Sequence, residues 1–215
     1  MVTVSPSVSP LRPVGERRVV FHDLNWHAYQ QILHALGERR SARLNYDRGT
    51  LEITMPLEEH EFYSELIGRF IYFLVAEMGQ KIKTMGSTTL DREDIERGAE
   101  PDKAYYIQNQ SKVAGKTVDL KYDPPPDLVV EVDITHTDID KLSLYARMGV
   151  SEFWRYNGQV WRIYELSGDL YQEVTTSPTF PFVPKGKLAE FLAQAQLDET
   201  EAERNLRQWV SQIAP

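Results

Sequence analysis

The chain has 215 residues, a net charge of −8 and no cysteine. That length suits one domain with modest extensions, and the missing cysteine excludes disulfides, thiolate nucleophiles and Cys-based zinc sites. The acidic balance gives little general attraction to phosphate, so a nucleic-acid partner needs a local basic surface or metal ions to offset carboxylate repulsion. Residues 1–15 are rich in Ser, Pro and Val and lack the apolar core of a signal peptide. They read as a disordered leader, running to residue 18, of a cytoplasmic protein. No apolar run approaches the ~20 residues of a membrane helix.

Residues 23–38 read as a helix, with Trp26, Tyr29, Leu33 and Leu36 at helical spacing and Gly37 near its end. Residues 42–55 read as a β-hairpin turning at Asp47-Arg48-Gly49, and Pro56 stops its second strand. Residues 58–78 give the clearest helix, with Phe62, Leu66, Phe70, Phe73 and Leu74 in one stripe. A strand over 81–90 is predicted to end in a charged turn, 91–98. A short strand over 104–107 follows Pro101-Asp102, and a polar loop covers 108–123. The run 128–134 is apolar and β-branched, broken only by acids. A helix over 138–148 stops at Gly149. Strands over 152–156 and 160–166 are joined by Asn157-Gly158, a strong hairpin signal. A short helix from Leu188 and another over 198–213 close the chain. The order predicts a mixed α/β (α+β) sandwich of sheet and helices, with a right-handed parallel crossover through helix 138–148.

The informative stretch is Pro126 to Ile134. Alternation puts Asp127, Val129, Glu131 and Asp133 on one side and Leu128, Val130, Val132 and Ile134 on the other. Glu131 and Asp133 then lie ~6.7 Å apart along the strand, able to border one metal ion or two. On pattern alone, a strand with one solvated acidic face explains this as well. Other segments tip the balance. Glu100 and Asp102 open the preceding strand, and Lys141 lies on the helix that follows. Two acids on adjacent strands and a nearby lysine are the parts of metal-assisted phosphodiester hydrolysis: carboxylates suit a hard cation such as Mg²⁺, and an ammonium stabilises developing charge. His22, His27, His34, His60 and His136 are too scattered to predict a histidine metal site. No Ser-His-Asp arrangement stands out and no phosphate-binding glycine loop is present. Arg39, Arg40, Arg43 and Arg48 read as a solvated face, with a basic rim for nucleic acid as the alternative. The aromatic residues of the last hairpin, Trp154, Tyr156, Trp161 and Tyr164, read as core or as a dimer surface.

Several words in fixed order carry a family resemblance: Tyr46 to Ile53, His60-Glu61, Gly86 to Leu90, Gly98-Ala99-Glu100-Pro101-Asp102, Pro126 to Thr135, Lys141, and Gly149 to Tyr156. With them the chain, over roughly residues 44–209, resembles the Uma family of restriction-endonuclease-like proteins in the PD-(D/E)xK nuclease superfamily. The resemblance implies a restriction-endonuclease-like α-β-β-β-α-β core, here with an extra N-terminal helix and hairpin, over residues 19–187. A C-terminal helical extension, 188–215, follows it. It implies that Asp102 and Glu131 are the two motif acids and hold Mg²⁺ or Mn²⁺, with Glu61 or Glu65 of the long helix able to reach the same ion and His60 able to contact the site. The superfamily pattern wants lysine where this chain has Asp133, and Lys141 is the natural match for a lysine moved to the next helix. The implied activity is a metal-dependent DNA endonuclease, with Asp102, Glu131, Asp133 and Lys141 as its catalytic set and a homodimer as its assembly, two-fold symmetry matching a duplex. Asp133 in place of lysine favours the alternative, a catalytically silent nuclease fold that binds nucleic acid or serves as a scaffold. A metal-dependent hydrolase of another substrate is a third reading.

Overall fold

The computed structural model describes residues 16–37 and 40–213. Residues 1–15 of the predicted leader and Arg39 of the predicted basic face lie outside them. The chain runs β1 (Glu16–Phe21), α1 (Trp26–Leu36), β2 (Arg43–Asp47), β3 (Thr50–Pro56), α2 (Glu58–Glu77), β4 (Lys83–Thr84), β5 (Leu90–Arg92), a 3₁₀ turn (Glu93–Ile95), β6 (Arg97–Ala99) and β7 (Lys103–Tyr106). It continues with α3 (Gln110–Val113), β8 (Leu128–Val132), α4 (Lys141–Met148), β9 (Glu152–Tyr156), β10 (Trp161–Ser167), β11 (Leu170–Val174), α5 (Lys185–Ala195) and α6 (Glu199–Ile213).

Two sheets result, in the orders β1-β3-β2-β6-β5 and β11-β10-β9-β8-β7-β4. The second has antiparallel pairs throughout except β8 and β9, which pair in parallel across α4. This is the mixed α/β, restriction-endonuclease-like arrangement, with the crossover where the sequence puts it. Leu128, Val130 and Val132 of β8 face a core shared with α2, α5 and α6, while Val129 faces a second core with Leu144, Tyr145 and Met148 of α4. Both faces of β8 are therefore covered, which is why a strand this apolar is stable in the middle of a sheet. It is also why its acids have no solvent to face. A third core, Tyr29, Leu44, Tyr46 and Leu51, seals α1 onto the first sheet.

Several expectations are corrected. The strand predicted over 81–90 is two pieces: β4 joins the second sheet, and β5 joins the first. The charged turn 91–98 is β5, the 3₁₀ turn and β6, because backbone pairing of Asp91 with Gly98 and Arg92 with Arg97 outweighs the polar side chains. Residues 16–18, assigned to the leader, begin β1, an edge strand that alternates in burial but puts Glu16 and Arg18 inward and leaves Val19 and Phe21 exposed, so its residue types hide the pattern. β11 and α3 were likewise silent in the sequence. Helix α4 starts at Lys141 and not near Asp138: the Asp140 carboxylate accepts from the Leu142 and Ser143 amides as its N-cap. Trp154, Tyr156, Trp161 and Tyr164 are buried in the chain's own cores, so their rings form no dimer surface. Among the described residues no helix is long and apolar enough to cross a membrane.

Candidate active site

The chain passes from the first sheet to the second twice, through α2 into β4 and again between β6 and β7, and the second passage carries the acids. Glu100 anchors it, accepting from the Leu44 amide at 2.8 Å and from Arg40 and Thr89. Two residues later comes Asp102, just before β7. The β7–β8 register pairs Lys103 with Val130, so one further step sets Asp102 opposite Glu131 on the same face. Glu131 and Asp133 both point to the α4 side, and all three acids are buried. Lys141, the first residue of α4, is also buried and drives its ammonium between two of them, 2.8 Å from Glu131 Oε2 and 2.6 Å from Asp133 Oδ1. Residues 133–140 separate β8 from the helix and bring Lys141 back onto the acids of the strand.

Each acid has further partners. Asp102 Oδ2 accepts from the Val132 amide at 2.6 Å and lies 3.1 Å from His60 Nε2, while Oδ1 accepts from Arg43. Glu131 Oε1 accepts from the Tyr145 hydroxyl. Asp133 Oδ2 lies 2.9 Å from Arg155 Nε, and Arg155 sits beside Glu131 in the parallel register. Glu61 is half exposed and reaches the network from its rim, 2.9 Å from Arg43 Nη2 and 3.9 Å from His60 Nδ1. Glu65 pairs instead with Lys103 and Arg69. Asp127, on the same strand face, serves the fold: it accepts from the Ile107 and Asn109 amides and the Asn109 side chain. Buried Glu52 accepts from the Asp138 amide and the Thr137 hydroxyl, holding the turn that delivers Lys141.

The charges are unevenly matched. Burial pushes Glu131 up to about 7; Lys141 pulls the other way, and the charges of Asp102 and Asp133 add to the rise. Burial opposes the charge of Lys141, but Asp133, Glu131 and Asp102 together hold its pKa well above the usual lysine value. One ammonium thus serves two carboxylates, and Glu131 is the one left short. Asp102 is held below the usual carboxylate range: burial works to raise it and is outweighed by the His60 hydrogen bond and the Arg43 charge. His60 is raised despite burial, through its bond to Asp102 and that carboxylate's charge. The Tyr145 phenol is pushed far up by burial and by Glu131, so it only donates.

Hard oxygen donors opposite one another, with one short of positive charge, fit an oxygen-preferring divalent cation in their chemistry. As the side chains stand, no group of three or more acids and histidines among the described residues converges on such an ion, because Lys141 and Arg43 occupy the intervening positions. Sequence reasoning missed Arg43 as a partner of Asp102, treating it as a surface arginine; the β2–β6 pairing that brings it there joins residues far apart in the chain. It also missed Tyr145 and Arg155. Tyr145, four residues from Lys141 on one helix face, was the more legible of the two. No curated protein matches the chain. A profile of the Uma2 family, described as "Putative restriction endonuclease", matches residues 26–198. With that match across most of its length, the chain belongs to the Uma2 family.

Proposed function

We propose that the protein is a Mg²⁺- or Mn²⁺-dependent DNA endonuclease of the cytoplasm, acting as a homodimer, with Asp102 and Glu131 as the ligands of the cation. The observation that carries this is the buried meeting of Asp102, Glu131 and Asp133 with Lys141, all from segments at one end of two adjacent strands. A divalent cation there supplies Lewis acidity and an activated water. The chain's own residues do the rest. Tyr145 and the Val132 amide fix the orientation of Glu131 and Asp102. Lys141 brings a permanent positive charge to where negative charge develops on phosphate. Asp133 holds that ammonium from the far side, and its other oxygen is paired with Arg155.

Supercoiled plasmid incubated with Mg²⁺ or Mn²⁺ is expected to be nicked and linearised. Asp102→Asn and Glu131→Gln should reduce cutting to background, and Lys141→Ala should lower it by on the order of 10²–10³ while metal binding persists. Sedimentation at micromolar concentration should give a dimer. One observation favours a second reading, a silent nuclease fold: each of the three acids is already met by donors of the chain itself. No cutting and no metal binding by the intact protein would select it.

A further inference from the structure

The two oxygens of Asp102 are held differently. Oδ2 is fixed in the interior by the Val132 amide at 2.6 Å and by His60 at 3.1 Å. Oδ1 has Arg43 as its partner, and the same guanidinium reaches Glu61 at 2.9 Å. Arg43 and Glu61 line an open cleft of about 690 Å³, together with Arg40, Ser87, Thr88 and Thr89. Arg43 therefore stands between this cleft and the one oxygen of Asp102 that a cation can approach. Its forked donors suit a phosphate as well as they suit the carboxylates they now bridge. The cleft is large enough for a nucleotide unit of one strand, and Ser41 and Glu100 line it as well, the Glu100 carboxylate being already met by Arg40 and Thr89.

Resting on the reading that Asp102 holds a divalent cation, we propose that Arg43 is an exchangeable counter-ion. It neutralises Asp102 while no cation is bound, and it turns into the cleft to hold a phosphodiester of the substrate strand when a cation takes its place. Metal and nucleic acid then bind cooperatively, because each favours the position of Arg43 that the other needs.

The test has two readouts of opposite sign. Binding of Mn²⁺ alone is followed by the electron paramagnetic resonance of the free ion. Binding of a labelled DNA duplex is followed by anisotropy in Ca²⁺. Arg43→Gln should bind Mn²⁺ roughly tenfold more tightly, since a charge-assisted competitor for Oδ1 is gone. It should bind DNA roughly tenfold more weakly, with a salt slope smaller by about one. If Arg43→Gln does not fold, Arg43→Lys carries the test: it keeps the charge but loses the forked guanidinium that meets Asp102 and Glu61 through separate nitrogens, so Mn²⁺ affinity should rise a few-fold with DNA affinity nearly kept. An arginine that merely props up Asp102 predicts weaker Mn²⁺ binding in both variants. That result, or unchanged DNA affinity in Arg43→Gln, overturns the proposal while wild-type cleavage leaves the nuclease reading standing. Absence of Mn²⁺ binding in the wild type and in both variants overturns the two together.

Discussion

Glu131 is the residue whose charge the fold leaves least settled. Buried beside Asp102 and Asp133, with one lysine shared between two acids, it titrates near 7 in the folded chain and near 4.5 when exposed. Between those values the folded chain keeps a proton that the unfolded chain has released, so stability falls as pH climbs from about 4.5 to 7 and levels off above. The ceiling on that loss is a few kcal/mol, at about 1.4 kcal/mol per unit of separation. Asp102 behaves oppositely: its carboxylate is held below the ordinary value, so its contribution is complete at neutral pH and is lost only as pH falls below about 3.8. Thermal denaturation of the metal-free protein should therefore give a midpoint several degrees lower at pH 7.5 than at pH 5. Glu131→Gln should reduce that dependence, the remainder coming from His60, whose raised pKa gives stability that is also lost as pH rises. A wild-type midpoint that rises across the window would mean that Glu131 is ionised throughout and that Lys141 alone balances it.

At the scale of elements, the site depends on two short segments that set direction. β6 lies between β2 and β5, and Gly98 faces Tyr29, whose ring stacks on Tyr46 at 4.8 Å. A Cβ at Gly98 would stand 2.6 Å from Asp91 Oδ1 and press into the Tyr29 hydroxyl. Gly98→Ala should cost about 1–3 kcal/mol in chemical denaturation, with part recovered by Tyr29→Phe in the same chain; full additivity of the two changes would show that they do not meet. The α4 N-terminus is the other segment. Asp140→Ala removes the cap from two amides and should cost about 1 kcal/mol, with metal binding unchanged if Lys141 keeps its place through Asp133 and Glu131. These elements differ in how well the sequence announces them. α2 and the β2–β3 hairpin were legible because their apolar spacing or turn residues are local signals. β5, β6 and β11 were not, because strands of three to five residues with charged or exposed positions are made by their neighbours' hydrogen bonds and not by their own pattern.

Across the whole molecule the net charge of −8 works against any polyanion, and three of the acids in that balance, Asp102, Glu131 and Asp133, are buried together at the candidate site. DNA binding should therefore depend on a divalent cation beyond ordinary screening: at about 0.15 M salt, anisotropy with Ca²⁺ should show an affinity at least roughly tenfold above that in EDTA. Equal affinity in the two conditions would mean that DNA meets some other surface. The sequence by itself determined the mixed α/β order, the crossover and the family, and it nominated Asp102, Glu131 and Lys141 as a candidate set, because each is written in residue type, order and strand alternation over a few dozen residues. The tertiary structure alone decided that both faces of β8 are covered, which turns an acidic stripe into a buried charge cluster. It alone brought Arg43 and His60 onto Asp102, kept Glu61 at the rim and made Asp127 and Glu52 anchors of loops. Those outcomes depend on which strand edges pair across the two sheets. Pairing between distant segments is set by the summed packing of the entire core, which no local pattern records.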